Sequence, residues 1–162
     1  MNGVYLITGG NLGNRQENLT KSSLMIAKLI GSIITQSAFY ETSAWGKMDE
    51  PAYLNQVLYV HTNLSAMEVL EKCLAIEHNM GRIRHDKWAS RLIDIDILFF
   101  NDEVYKLANL KIPHPHIAER KFVLVPLHEI APNFVHPSLH QTIHELLVIC
   151  ADPLEVNLFP MH

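Results

Sequence analysis

The stretch Ile93-Asp94-Ile95-Asp96-Ile97-Leu98-Phe99-Phe100 decides the fold. Its β-branched and aromatic residues mark a strand. Strand alternation sends Ile93, Ile95 and Ile97 to one side and Asp94, Asp96 and Leu98 to the other. One side is built for a core. The other either faces solvent on an outer sheet face or holds a ligand.

The same kind of reading, carried outward, supplies the partners of this strand. Upstream, Ser65 with Glu68 forms a capping box, and Val69, Leu70, Cys73, Leu74, Ile76 and Met80 then give one apolar helical stripe that Gly81 ends. Before that helix, Tyr53 to His61 alternates as a strand, with Tyr53, Asn55, Val57 and Tyr59 on one face. Ile33 to Tyr40 reads as another strand. Asn14 with Glu17 opens a helix whose stripe is Leu19, Ser23, Ile26 and Ile30, closed by Gly31. Val4 to Thr8 is a first buried strand that runs into the turn Gly9-Gly10. Downstream lie a loop holding Pro113 and Pro115 and two helical stretches, near 122–128 and 138–150. The order β-α-β-β-α-β predicts an α+β fold: a ferredoxin-like split βαβ core with an antiparallel sheet flanked by helices. The length of 162 residues and the absence of repeats or linkers predict one domain over 1–162.

Composition narrows the function classes. Hydrophobic residues make up 48% and charged residues 19%, an ordinary globular balance. Two cysteines, Cys73 and Cys150, sit in apolar helical patterns and predict small core residues in a reducing compartment. No segment has membrane-spanning length and the first residues lack a basic region, so a cytoplasmic protein with no membrane partner is expected. A formal net charge of −4 argues against a nucleic-acid binder. Positive charge is nevertheless concentrated in Arg82, Arg84, Lys87 and Arg91, which reads either as a solvated loop or as a grip for a compact polyanion.

Asp94 and Asp96 favour the second reading. Two carboxylates on one strand face sit roughly 6–7 Å apart at their Cα atoms. Left alone they repel each other, and Mg²⁺, which takes one or two carboxylates and completes its shell with water and phosphate, relieves that conflict. Two metal ions could be bridged by such a pair. Glu77 falls on the buried stripe of the second helix, where an ionised carboxylate needs a partner. It is expected either in a salt bridge to Arg82 or Arg84 or at the edge of a nucleotide pocket. Gly9-Gly10-Asn11-Leu12-Gly13 lacks both the dinucleotide-binding spacing and the phosphate-loop ending, so its glycines are read as turn residues. His136, His140 and His144 have helical spacing, but Pro137 interrupts them and no acidic ligand completes a site. Surface histidines are expected.

The segment Lys87-Trp88-Ala89-Ser90-Arg91-Leu92-Ile93-Asp94-Ile95-Asp96-Ile97-Leu98 resembles the signature of the 6-hydroxymethyl-7,8-dihydropterin pyrophosphokinase family. Further similar stretches follow in the family's order: Gly9–Gly13, Phe39-Tyr40-Glu41-Thr42, Tyr53-Leu54-Asn55, Glu77 with Gly81-Arg82-Ile83-Arg84, Ile112-Pro113-His114-Pro115, and Arg120 to Leu127. Together they span roughly residues 3–150. The resemblance implies diphosphate transfer from the co-substrate ATP to the pterin hydroxymethyl group in folate biosynthesis, by a monomer acting on small molecules. It implies that Asp94 and Asp96 hold two Mg²⁺ ions, with Arg82 and Arg91 nearest the transferred group. Arg84, His114 and Arg120 would contact phosphates, and Glu77, Trp88, Ile97 and His114 would surround the nucleotide. Tyr53 and Phe122 would sandwich the pterin, Thr42 and Asn55 would bond its edge, and Ser43 and Trp45 would border it. Gly10, Ser43 and Trp45 depart from the family's usual residues. Loops 41–51 and 82–91 are expected to close over bound substrates, and His114 is a base only in principle. A nucleotide-sugar transferase using Asp94-Ile95-Asp96 leaves Tyr53 and Asn55 unexplained. A ferredoxin-like RNA-binding or regulatory module conflicts with two acids on a sheet strand.

Overall fold

The computed structural model of the chain describes residues 1–43, 51–81 and 92–160. Along the chain run β1 (Asn2–Gly10), α1 (Arg15–Leu29), β2 (Ser32–Gln36), β3 (Tyr40–Thr42), β4 (Tyr53–Thr62) and α2 (Ala66–Asn79). They are followed by β5 (Asp94–Phe100), β6 (Tyr105–Lys106), β7 (Lys111–Ile112), α3 (Lys121–Ile130), α4 (Ile143–Ile149) and β8 (Val156–Leu158). Among the described residues the main sheet has six strands in the order β5-β1-β4-β3-β8, with β2 also on β4, and every pairing is antiparallel. This is the expected split βαβ arrangement.

The sheet carries two cores. Val4, Leu6, Leu58, Ile93, Ile95 and Ile97 pack with Leu19 and Ile26 of α1 and with Val69, Cys73 and Ile76 of α2. On the opposite face Ile7, Val57, Leu98 and Phe99 pack with Val123, Leu124 and Leu127 of α3 and with Ile143 and Leu146 of α4. The isoleucine side of β5 is therefore the α1–α2 side, as alternation requires. A bulge then interrupts the rhythm. Tyr5 faces Phe99 while Leu6 faces Ile97, so Leu98 has no partner on β1 and consecutive Leu98 and Phe99 both enter the α3–α4 core.

The caps read from sequence are present. Asn14 Oδ1 accepts the Glu17 N–H at 3.0 Å, and Ser65 and Glu68 form a reciprocal capping box. Gly31 has a different purpose from the one expected. The α1 cap residue is Ile30, and a Cβ on Gly31 would stand 1.9 Å from the His61 carbonyl oxygen. Glycine is required there by the close approach of the helix end to β4.

Four further expectations change. The stretch Ile33–Tyr40 is two strands, because between them side chains replace ladder bonds. Ser37 Oγ accepts the Val57 N–H, Gln56 Nε2 donates to the Ser37 carbonyl, and Glu129 accepts the Ala38 N–H. The helix expected from 138 begins only at Ile143, behind a Thr142–Glu145 capping box. Upstream of it His136 is buried and not at the surface, since its Nδ1 accepts the N–H groups of Ser138 and Leu139 and so builds the turn. Leu74, assigned to the buried stripe, is exposed, while Ala66 joins that face and Glu77 is buried on it as expected. No helix among the described residues is long and apolar enough to cross a membrane.

Candidate active site

The α3–α4 face of the sheet is not fully covered. At the end where β1 finishes and β5 begins, a cleft of about 300 Å³ opens. Strand register builds its floor. Gly9 faces Asn55 on β4 and Asp94 on β5, and Asn55 in turn faces Tyr40 on β3. Two residues further along β1, Ile7 faces Val57 and Asp96. Partners in antiparallel strands share a face, so both carboxylates and the Asn55 amide lie on one surface with no side chain at position 9 between them.

The other walls come from distant parts of the chain. Thr42, opposite Tyr53 across β3 and β4, lines the cleft together with Ser43. Arg120 and Phe122 enter from the start of α3, with the guanidinium carbon 5.6 Å from the Phe122 ring centroid. Leu154 contributes an apolar contact from beyond α4. The end near β3 is polar and buried. Asn55 is 7% exposed, and Thr42 Oγ1 is buried without a hydrogen-bond partner among the described residues. A buried hydroxyl without a partner costs on the order of 1–3 kcal/mol, and a ligand with donors and acceptors along its edge would recover that cost.

Of the residues expected at the site, the fold brings Thr42, Ser43, Tyr53, Asn55, Asp94, Asp96, Arg120 and Phe122 to this cleft. Three others sit elsewhere. Ile97 is in the core beneath α1 and α2 and does not line the cleft. Glu77 is 3% exposed on the far side of β5, where its Oε2 accepts the Ile95 N–H at 2.8 Å. It thus holds the backbone of the edge strand between the two aspartates. Glu77→Ala is expected to cost about 1–3 kcal/mol, because Ile95 loses a charged acceptor, and Glu77→Gln distinctly less. Urea unfolding of the two variants measures the difference.

His114 lies in the loop before α3, its N–H donating to the Leu98 carbonyl at 3.1 Å. Burial, then the charges of Arg120 and His116, lower its pKa from 6.5 to about 4. Its Nδ1 accepts the His116 N–H at 3.2 Å, which leaves the proton on Nε2. At neutral pH the imidazole is therefore uncharged, with its Nδ1 lone pair engaged and its Nε2 proton available to donate. The unfolded chain binds a proton here that the folded chain refuses. Stability therefore rises with pH between about 4 and 6.5 and falls as pH drops through that window. His114→Gln is expected to flatten that part of the stability curve, which urea midpoints measured from pH 4 to 7 would record.

Trp45, Arg82, Arg84, Trp88 and Arg91, together with residues 44–50 and 82–91 of the expected closing loops, lie outside the described residues. Sequence reasoning missed Ile7, Thr8 and Leu154, and it misread Gly9. A Cβ on Gly9 would stand 2.2 Å from Asn55 Oδ1, so this glycine serves close approach within β1 and not a turn.

The donor set decides which metal fits. No group of three His, Cys, Asp or Glu residues that could hold a metal occurs among the described residues. A closed zinc site is therefore not built from them. Two carboxylates on one strand face, open to the cleft, do fit Mg²⁺, whose remaining ligands are water and phosphate oxygens.

A carboxylate pair, a guanidinium beside an aromatic ring, a second aromatic residue and buried polar groups in one cleft are the parts of a transferase that joins a phosphorylated substrate to a planar one. Residues 5–132 match the family model for 7,8-dihydro-6-hydroxymethylpterin-pyrophosphokinase. The chain is 36% identical over 158 residues to 2-amino-4-hydroxy-6-hydroxymethyldihydropteridine pyrophosphokinase of Haemophilus influenzae, covering 97% of this chain and 98% of that one. It is 39% identical over 146 residues to the protein of the same name from Synechocystis sp., covering 90% and 74%. Among solved structures, the Plasmodium falciparum HPPK-DHPS wild type with pteroate superposes with a TM-score of 0.73 at 19% identity. The match takes in 91% of this chain and 42% of that one, so this chain spans under half of that chain's length, and the likeness speaks for the fold. The chain belongs to the 7,8-dihydro-6-hydroxymethylpterin-pyrophosphokinase family.

Proposed function

We propose that the cleft between β1, β3, β4, β5 and α3 is where this chain transfers diphosphate from ATP to the hydroxymethyl oxygen of 6-hydroxymethyl-7,8-dihydropterin, releasing AMP. The observation that carries the reading is the row Asp94–Gly9–Asn55, which sets a carboxylate and a buried amide on one surface across three strands. Family membership supplies the reaction, diphosphoryl transfer in folate biosynthesis, and disfavours the nucleotide-sugar and RNA-binding alternatives.

The pterin lies at the β3 end. Its flat ring suits the aromatic faces of Tyr53 and Phe122. Its donor and acceptor edge takes Asn55 and Thr42, with Ser43 and Trp45 at the rim. The triphosphate lies towards Asp94 and Asp96. These two carboxylates would hold the Mg²⁺ ions, which when bound neutralise charge on the phosphate oxygens. Arg82 and Arg91 stand nearest the transferred group, Arg84 and Arg120 grip the flanking phosphates, and His114 donates from Nε2. Glu77 fixes β5, and Trp88 and Ile97 lie on the nucleotide side. The pterin hydroxymethyl oxygen attacks the β-phosphorus in line and AMP departs. Such a transfer relies on positioning and charge stabilisation, so metal ions and arginines matter more than a dedicated base, and the hydroxyl proton passes to solvent. The same reading takes residues 1–162 as one domain, a cytoplasmic monomer.

AMP release from ATP, measured with and without the pterin and with and without Mg²⁺, tests the proposal. Release that needs both is the expected result. ATP cleavage indifferent to the pterin would overturn the reading.

A further inference from the structure

The segment after α4 forms part of the cleft wall. Asp152 uses both carboxylate oxygens where the chain passes the start of α3. Its Oδ2 accepts the Lys121 N–H at 3.0 Å, and its Oδ1 accepts the Leu154 N–H at 3.0 Å. The residue at the α3 N-cap, Arg120, makes no side-chain cap bond. Asp152 thus supplies from outside an acceptor for one of the first-turn N–H groups that a helix leaves unsatisfied. Its charge also sits at the positive end of the helix dipole. One carboxylate therefore couples the helix start, which bears Arg120 and Phe122, to the turn that delivers Leu154 to the cleft.

The segment is pinned again at its other end. β8 pairs Val156 with Thr42 and Leu158 with Tyr40. The Phe159 N–H then donates to the Phe39 carbonyl at 2.8 Å, and the Phe159 ring lies 5.5 Å from the Arg15 guanidinium carbon. Arg15 itself bonds Glu41 at 2.7 Å and the Ala52 carbonyl at 2.8 Å, each one residue before a cleft residue, Thr42 and Tyr53. Attached to α3 at one end and to β3 at the other, the segment has little freedom to change the distance between them.

We infer that residues 151–160 are a fixed strap that sets the width of the planar-substrate end of the cleft. Asp152 is a positioning residue for Arg120 and Phe122, and Leu154 is an apolar wall that limits the size of the bound heterocycle. The inference rests on the placement of the pterin proposed above.

Steady-state kinetics of wild type, Asp152→Ala, Asp152→Asn and Leu154→Trp, with KM determined separately for the pterin and for ATP, test it. Asp152→Ala is expected to raise the pterin KM about tenfold or more through misplacement of the helix start. Asp152→Asn keeps one acceptor oxygen where two are used, for the Lys121 and Leu154 N–H groups, so its pterin KM should also rise, by no more than that of the alanine variant. Leu154→Trp, at a half-buried position that cannot unfold the protein readily, should raise the pterin KM about tenfold and leave the ATP KM within about twofold. Wild-type turnover with an unmoved pterin KM in Leu154→Trp and Asp152→Ala would overturn the strap alone. If Asp152→Ala fails to fold, Leu154→Trp decides. A wild type that turns over no pterin would overturn the cleft assignment, and the strap with it.

Discussion

Replacing Asp96 by alanine is expected to lower Mg²⁺-dependent AMP release by about 10³-fold or more, a loss typical of removing a group that organises charge in the transition state. The side chain lies on the cleft face of β5, opposite Ile7, and is exposed. Exposure is what makes the test clean. Surface substitutions away from special backbone features change stability by roughly 0.5 kcal/mol or less, so the variant should melt with wild type while losing activity. Asp96→Asn keeps the shape but not the charge and is expected to be almost as impaired. Titration with Mn²⁺ in place of Mg²⁺ gives a second readout, since fewer carboxylates should demand more metal for half-maximal rate. An alanine variant within a few-fold of wild type at equal Mg²⁺ would remove Asp96 from the metal site.

Gly9→Ala is expected to weaken pterin binding by about 10²-fold, because a site built to hydrogen-bond its substrate discriminates strongly when that group is displaced. The added Cβ would stand 2.2 Å from Asn55 Oδ1 and 3.3 Å from the Leu54 carbonyl oxygen. The amide must swing away, because the Leu54 backbone is held in the β1–β4 ladder. Overpacking of this kind also costs about 1–3 kcal/mol. A double-mutant cycle separates the two effects. If Gly9 acts through Asn55, Gly9→Ala added to Asn55→Ala should weaken pterin binding no further, and the stability loss should shrink, since residues in contact do not add. Fully additive binding losses would show that the glycine serves something other than the approach of that amide.

The features legible in sequence are those whose partners lie a few residues apart. The Asn14–Glu17 and Ser65–Glu68 caps are visible because both halves of each cap fall within one helical turn. The two sides of β5 are visible because strand alternation has a period of two, and the two aspartates fall on the cleft face as that period requires. The order of motifs along the chain sufficed for the family, whose model matches residues 5–132.

What distant partners decide was not legible. The Glu77 side chain is polar on a buried stripe, which shows in the sequence, but the Ile95 N–H that satisfies it lies 18 residues away on another element. The break between β2 and β3 depends on Ser37, Gln56 and Glu129 meeting in space. Leu154 and Asp152 follow α4 in a segment without helical or strand periodicity, and only the packing of β8 on β3 brings them to the cleft. The sequence by itself determined α1, α2, β1, β4, β5 and the acidic strand face, because local propensity, capping and alternation are short-range, and the resemblance carried by its motifs pointed to the kind of chemistry. The tertiary structure alone decided that Asp94, Gly9 and Asn55 stand side by side. Strand register comes from the packing of both sheet faces, and a slip of one residue in any of the three strands would take that strand's member out of the row.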